Sequence, residues 1–196
     1  MRLFTAIELP EPVRAAVAGA AAPMLRPLPG VRAVAPENLH VTLCFLGEVG
    51  EDRLPAIRAA IAEATAAVPA ARVQVAGFGA FPNVRSPRTV WAGVTDPTGV
   101  IAAAELAVSA RIGPLGFPRE RRPFTAHVTV ARIDTSAPAW RRRGPAGGQR
   151  AALVLPPPLP LGPEFPVCEV VLFRSDLASR GPRYVPLDRF PLAASA

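Results

Sequence analysis

Two tetrapeptides, His40-Val41-Thr42-Leu43 and His127-Val128-Thr129-Val130, constrain this chain more than any other feature, because they contain both of its histidines. Given the first, a second match of this kind arises by chance on the order of once in two hundred. They begin 87 residues apart, which leaves room between them for a helix, two strands and another helix. The repeat predicts two duplicated halves that bring their motifs face to face.

Each motif reads as a strand, in which residues i and i+2 share a face. His40 and Thr42 then project together, as do His127 and Thr129, while Val41, Leu43, Val128 and Val130 turn into the core. Two imidazoles and two hydroxyls converging on one space suit a phosphate. Hydroxyls donate to its oxygens, and histidines titrating near neutrality supply one base and one acid. A lone histidine is more often a half-buried strand residue satisfied by a neighbour, but a matched pair weighs against that reading. A metal centre with Cys44 as third ligand is opposed by distance, since Cys44 lies four residues beyond His40, about 13 Å along a strand. No Asp or Glu accompanies either tetrapeptide. The expectation is no metal.

The rest of the chain alternates strands and helices. Strands are expected over 3–9, 39–49, 72–81, 89–94 and 124–133, helices over 13–22, 54–64 and 100–112, and a closing β-pair over 167–174 and 184–190. The short connections between 72 and 94 suit an antiparallel hairpin. The predicted class is α+β, one domain over 1–196 made of two intertwined lobes with mostly antiparallel sheets beside a central cleft. Residues 135–166, with Arg141-Arg142-Arg143, Gly147-Gly148 and Pro156-Pro157-Pro158, read as a surface loop with one helical turn near 151–155.

Composition narrows the function. At 196 residues and 50% hydrophobic, the chain can bury a sizeable core, yet no apolar run approaches the roughly 20 residues of a membrane span. Glu8 and Pro10 interrupt the stretch where a secretory leader would stay apolar, so a cytoplasmic protein is expected, and separately a monomer. Cys44 and Cys168 are too few for a disulfide framework. The formal charge of +7 is carried by arginine alone, which favours an anionic partner and excludes any Schiff-base or P-loop lysine.

At these residues the sequence resembles the two-histidine phosphoesterase superfamily, specifically the RNA 2′,3′-cyclic phosphodiesterases, or 2′-5′ RNA ligase-like proteins. The likeness runs through Arg2-Leu3-Phe4-Thr5-Ala6-Ile7-Glu8-Leu9-Pro10, Glu37 to Gly47, Phe124 to Arg132, Val170 to Leu177 and Gly181-Pro182-Arg183-Tyr184. It implies a bilobal fold, no cofactor, and hydrolysis of an RNA 2′,3′-cyclic phosphate end, or of a cyclic nucleotide, to a 2′-phosphomonoester. It assigns His40 as proton donor and His127 as proton acceptor, with Thr42, Thr129 and Arg132 on the phosphate. Arg132 poses a geometric question, because it lies five residues after His127 and strict alternation aims it at the opposite face. It reaches the site only where the strand twists or ends. The alternatives are reversible 2′-5′ RNA ligation and cleavage, a small-nucleotide phosphodiesterase, and a noncatalytic RNA-end binder.

Overall fold

The computed structural model describes residues 1–120, 122–134, 153–178 and 181–194. Nine strands and three helices follow one another as β1 (Arg2–Glu8), α1 (Glu11–Leu25), β2 (Val31–Ala33), β3 (His40–Glu48), α2 (Leu54–Thr65), β4 (Ala71–Phe81), β5 (Thr89–Thr95), α3 (Val100–Ile112), β6 (His127–Ile133), β7 (Phe165–Val167), β8 (Glu169–Ala178) and β9 (Gly181–Pro191). No helix among them is long and apolar enough to cross a membrane.

The strands line up as β7-β4-β5-β6-β3-β1-β8-β9, with β2 paired to β6 from the side. Neighbours in this order are antiparallel. The order is symmetric about its centre. Four strands on one side contain the first motif in β3, four on the other contain the second in β6, and the halves join where Val41 pairs with Val128. Chain order repeats as well: β1, α1 and β3 in one half answer to β5, α3 and β6 in the other. Between the motifs lie α2, β4, β5 and α3, the helix, two strands and helix that the spacing allows. A helix of each half packs against the motif strand of the other, α3 against β3 and α1 against β6.

Local chemistry explains the helices. In α1, Val13, Val17, Ala21 and Leu25 recur every four residues and are all buried. The helix runs past the expected end at 22, carrying Pro23 into its last turn, because Leu25 completes that apolar stripe. Helix α3 is capped by Asp96, whose carboxylate accepts from the amides of Val100 and Ile101 at 3.0 and 2.9 Å.

Other elements depart from the expected ones as well. Periodicity predicts no strand at β2, because Val31-Arg32-Ala33 is too short for it to register. β6 begins at His127 rather than 124, since the Thr125 carbonyl is taken by the His127 ring. The stretch expected as irregular contributes β7, and residues 153–155 form no helical turn. Residues 135–152, including Arg141, Arg142 and Arg143, lie outside the described residues, as do 179 and 180.

Candidate active site

His40 opens β3 and His127 opens β6, both half-buried. Continuing the Val41–Val128 register by one residue either way sets His40 opposite Thr129 and Thr42 opposite His127. Directly opposed residues of an antiparallel pair share a face, so all four side chains stand on one side of the joined sheet. Val41 and Val128 are completely buried on the other side.

The two imidazoles are held alike. Nδ1 of His40 lies 2.7 Å from the carbonyl oxygen of Asn38, and Nδ1 of His127 lies 2.7 Å from that of Thr125. A carbonyl only accepts, so both Nδ1 atoms carry protons. Each Nε2 is thereby the working atom, a lone pair when the ring is neutral and a donor when it is charged. Asn38 is itself tethered, its Nδ2 donating to the Pro182 carbonyl on β9 at 2.9 Å. Neither Thr42 nor Thr129 has a hydrogen-bond partner among the described residues, which leaves both hydroxyls free for a ligand.

Aromatic rings wall both histidines, a feature that periodicity did not reveal. Phe4 and Tyr184 lie 5.0 and 5.2 Å from the His40 ring, with Tyr184 edge-on at 89°. Phe81 stands edge-on to His127 at 5.2 Å and 86°, and Trp91 lies 6.1 Å away. The site wall thus combines apolar rings with few charges, and burial is the main cause that lowers the His40 pKa below the ordinary 6.5. The Asn38 carbonyl opposes the shift, while positive charge on His127 and Arg132 adds to it.

That electrostatic coupling raises the question of how Arg132 faces the site. A β-bulge answers it. On β5, Trp91 and Thr89 are two residues apart and share a face, yet they pair with Thr129 and Arg132, three residues apart on β6. The extra residue leaves Val130 and Ala131 both buried and returns Arg132 to the face of His127 and Thr129. The first half does the same: Ala6 and Phe4 on β1 pair with Thr42 and Phe45 on β3, and Leu43 and Cys44 are both buried. Cys44 therefore points away from the histidines, with its Sγ 3.8 Å from Ser109 Oγ, and burial pushes its thiol pKa up. Phe45, the counterpart of Arg132, is 58% exposed on the site face.

A small hollow of about 60 Å³ beside His40 is lined by Glu8, Asn38, Phe173 and Tyr184 among others. A larger one of about 460 Å³ is apolar and lies against Leu25, Val31 and Val130, on the face of β6 away from His127. The second lies apart from the chemistry described above. Among the described residues, no three of His, Cys, Asp and Glu cluster as metal ligands would.

A model of the LigT-like phosphoesterases matches residues 7–91, which include the first motif. The chain is 36% identical over 197 residues to an RNA 2′,3′-cyclic phosphodiesterase of Thermus thermophilus, covering 98% of this chain and 90% of the relative. The chain belongs to the LigT-like phosphoesterase family. A further LigT-like relative, the RNA 2′,3′-cyclic phosphodiesterase of Escherichia coli, is 33% identical across 97% of this chain and 96% of its own. Among solved structures, one from Thermus thermophilus superposes with a TM-score of 0.76 at 34% identity over the whole of both chains. Escherichia coli LigT in complex with 3′-AMP gives 0.77 at 28% identity, covering 97% of each chain.

Proposed function

We infer that this protein is a metal-independent hydrolase that opens the 2′,3′-cyclic phosphate at an RNA end to a 2′-phosphomonoester. The observation that carries this reading is the matched pair of Nδ1-anchored histidines, each beside a free threonine hydroxyl, across the Val41–Val128 junction. The activity named for the relatives and the 3′-AMP held by Escherichia coli LigT agree with it.

Neutral His127 takes a proton from water through Nε2 as the water oxygen attacks phosphorus opposite the 3′-oxygen. The P–O3′ bond breaks, and Nε2–H of His40 delivers a proton to the leaving oxygen, which becomes the 3′-hydroxyl. Water supplies the oxygen of the new phosphomonoester. Thr42, Thr129 and Arg132 hold the nonbridging oxygens, where negative charge builds in the transition state. The depressed pKa of His40 fits this assignment once the ligand is counted. In the protein alone, burial favours a neutral ring, and an anionic phosphate between the histidines offsets the positive charge of His127 and Arg132 and favours the protonated donor.

The test is direct. Purified protein is incubated with an oligoribonucleotide ending in a 2′,3′-cyclic phosphate, with and without chelator, and the product end is identified. The expected result is chelator-insensitive formation of a 2′-phosphate, lost by about 10² to 10⁴-fold in His40→Ala or His127→Ala. Near-full activity in either variant would overturn paired acid–base catalysis.

A further inference from the structure

Arg32, on the short strand β2, pairs directly with Arg132 on β6. Opposed residues of an antiparallel pair project to the same side, so the two guanidinium-bearing side chains leave the sheet together. The bulge at Val130 and Ala131 makes that side the one occupied by His127 and Thr129. Both arginines are exposed.

Like charges set directly opposite one another destabilise a β-pair. Several arginines elsewhere are neutralised by a carboxylate, although others, such as Arg85 and Arg88, stand alone among the described residues without a second arginine paired against them. Arg58 meets Asp188, Arg111 meets Glu63, Arg119 meets Glu105, and Arg189 bridges Glu8 and Glu169. Arg32 and Arg132 have no carboxylate or hydrogen-bond partner among the described residues. An uncompensated pair of guanidinium groups beside a phosphate-processing site is a place for a second anion, because two planar forks can share the oxygens of one phosphate.

Resting on the cyclic phosphodiesterase reading, we propose that Arg32 forms a subsite for the phosphodiester one nucleotide upstream of the cyclic end, with Arg132 beside it spanning from the cyclic phosphate toward that group. Thr129 and Arg132 are three residues apart with one folded into a bulge, under about 10 Å along the strand. The length of an arginine side chain and a single nucleotide step bridge that separation. A cyclic mononucleotide has no second phosphate to place there. The pair therefore makes the enzyme prefer the end of an RNA chain to a free cyclic nucleotide.

The experiment compares wild type with Arg32→Ala on a 2′,3′-cyclic mononucleotide and on a short oligoribonucleotide with the same terminus, at two salt concentrations. The expected result is about a tenfold loss of kcat/KM on the oligonucleotide, most of it in KM, and no change on the mononucleotide. The salt slope of oligonucleotide binding should fall by about 0.7, the value for one phosphate contact to a single strand. Thermal stability of Arg32→Ala should hold or rise as the like-charge repulsion is relieved, which separates a lost contact from a damaged fold. Equal losses on both substrates, or none on either, would overturn the subsite. So would weakened binding of inorganic phosphate with oligonucleotide affinity intact, which would make this a free-anion site. If wild type turns over neither substrate, the hydrolase reading fails. The subsite is then decided by binding of an oligoribonucleotide ending in a 2′-phosphate, weakened in Arg32→Ala if it stands and unchanged if it does not.

Discussion

Phe45 and Arg132 occupy the same place in the two halves of the molecule, each the fifth residue after its histidine and each returned to the site face by a bulge. The duplication is thus symmetric in its histidines and threonines and asymmetric just beyond them, with a ring on one side and a positive charge on the other. A charge that meets the phosphate acts on the transition state, whereas an exposed ring offers a flat apolar surface to a base. Arg132→Ala is expected to lower kcat on both a cyclic mononucleotide and an oligonucleotide. Phe45→Ala is expected to raise KM several-fold with kcat nearly unchanged. Steady-state kinetics on the two substrates check both, and an Arg132→Ala variant with unchanged kcat would remove that side chain from the phosphate.

His40 should titrate below 6.5 in the free protein, because burial, reinforced by positive charge on His127 and Arg132, favours the neutral ring. Removing one of those charges in Arg132→Ala should raise the value, and adding inorganic phosphate should raise it further. The chain has only two histidines, so the imidazole signals in an NMR titration are few enough to assign by one substitution.

The same shift has a consequence for stability. A histidine whose folded pKa is depressed binds fewer protons in the folded state than in the unfolded one, so its contribution is complete above 6.5 and is lost as pH falls through the folded value. The difference in Tm between wild type and His40→Gln should therefore become less favourable to wild type between about pH 7.5 and about pH 5. A pH-independent difference would contradict the burial argument.

The duplicated motif made the fold class and both histidines legible, because a period of two and a repeat of four residues are local patterns. Arg132 and Cys44 were not legible in the same way. Alternation aims Cys44 at the site and Arg132 away from it, and the structure reverses both through bulges that exist only in the pairing of β3 with β1 and of β6 with β5. Arg32 had no signal at all, since its role depends on β2 lying beside β6 across a hundred residues of sequence. The aromatic wall shares that origin: Phe4, Phe81, Trp91 and Tyr184 come from four different strands and meet only through sheet order.

Gly79 leaves room for the ring that walls His127. It pairs with Trp91 across β4 and β5, and a methyl group added to it would drive into the six-membered part of the indole. The ring cannot easily yield, since it packs 5.3 Å from Phe81 and 6.1 Å from His127. Gly79→Ala should cost about 1–3 kcal/mol by overpacking. It should also lower kcat by displacing the wall behind His127. Denaturant unfolding and kinetics measure the two effects separately, and an alanine tolerated without loss of either would show that the indole has room to move.

Arg119 connects the second motif to the body of the protein. Residues 118–126 lack regular structure wherever they are described, yet Thr125 must aim its carbonyl at His127 Nδ1. The anchor on this segment is Arg119, whose Nε and guanidinium nitrogen donate to the two oxygens of Glu105 at 2.8 and 2.5 Å. Glu105 is buried in α3 and also accepts from Ser109 Oγ at 2.9 Å. With its single proton given to Glu105, Ser109 can only accept from the Cys44 thiol, so the cluster touches β3, α3 and the approach to β6. Arg119→Ala frees the segment and leaves a buried carboxylate short of its partner. The expected outcome is a lower Tm together with a lower kcat, and a shift in the Nδ1 and Nε2 signals of His127 with those of His40 unchanged. Arg119→Lys should recover charge but not the two-pronged geometry, and so restore Tm more than kcat. Loss of activity with both imidazole signatures unaltered would show that the clamp stabilises the fold without orienting the base.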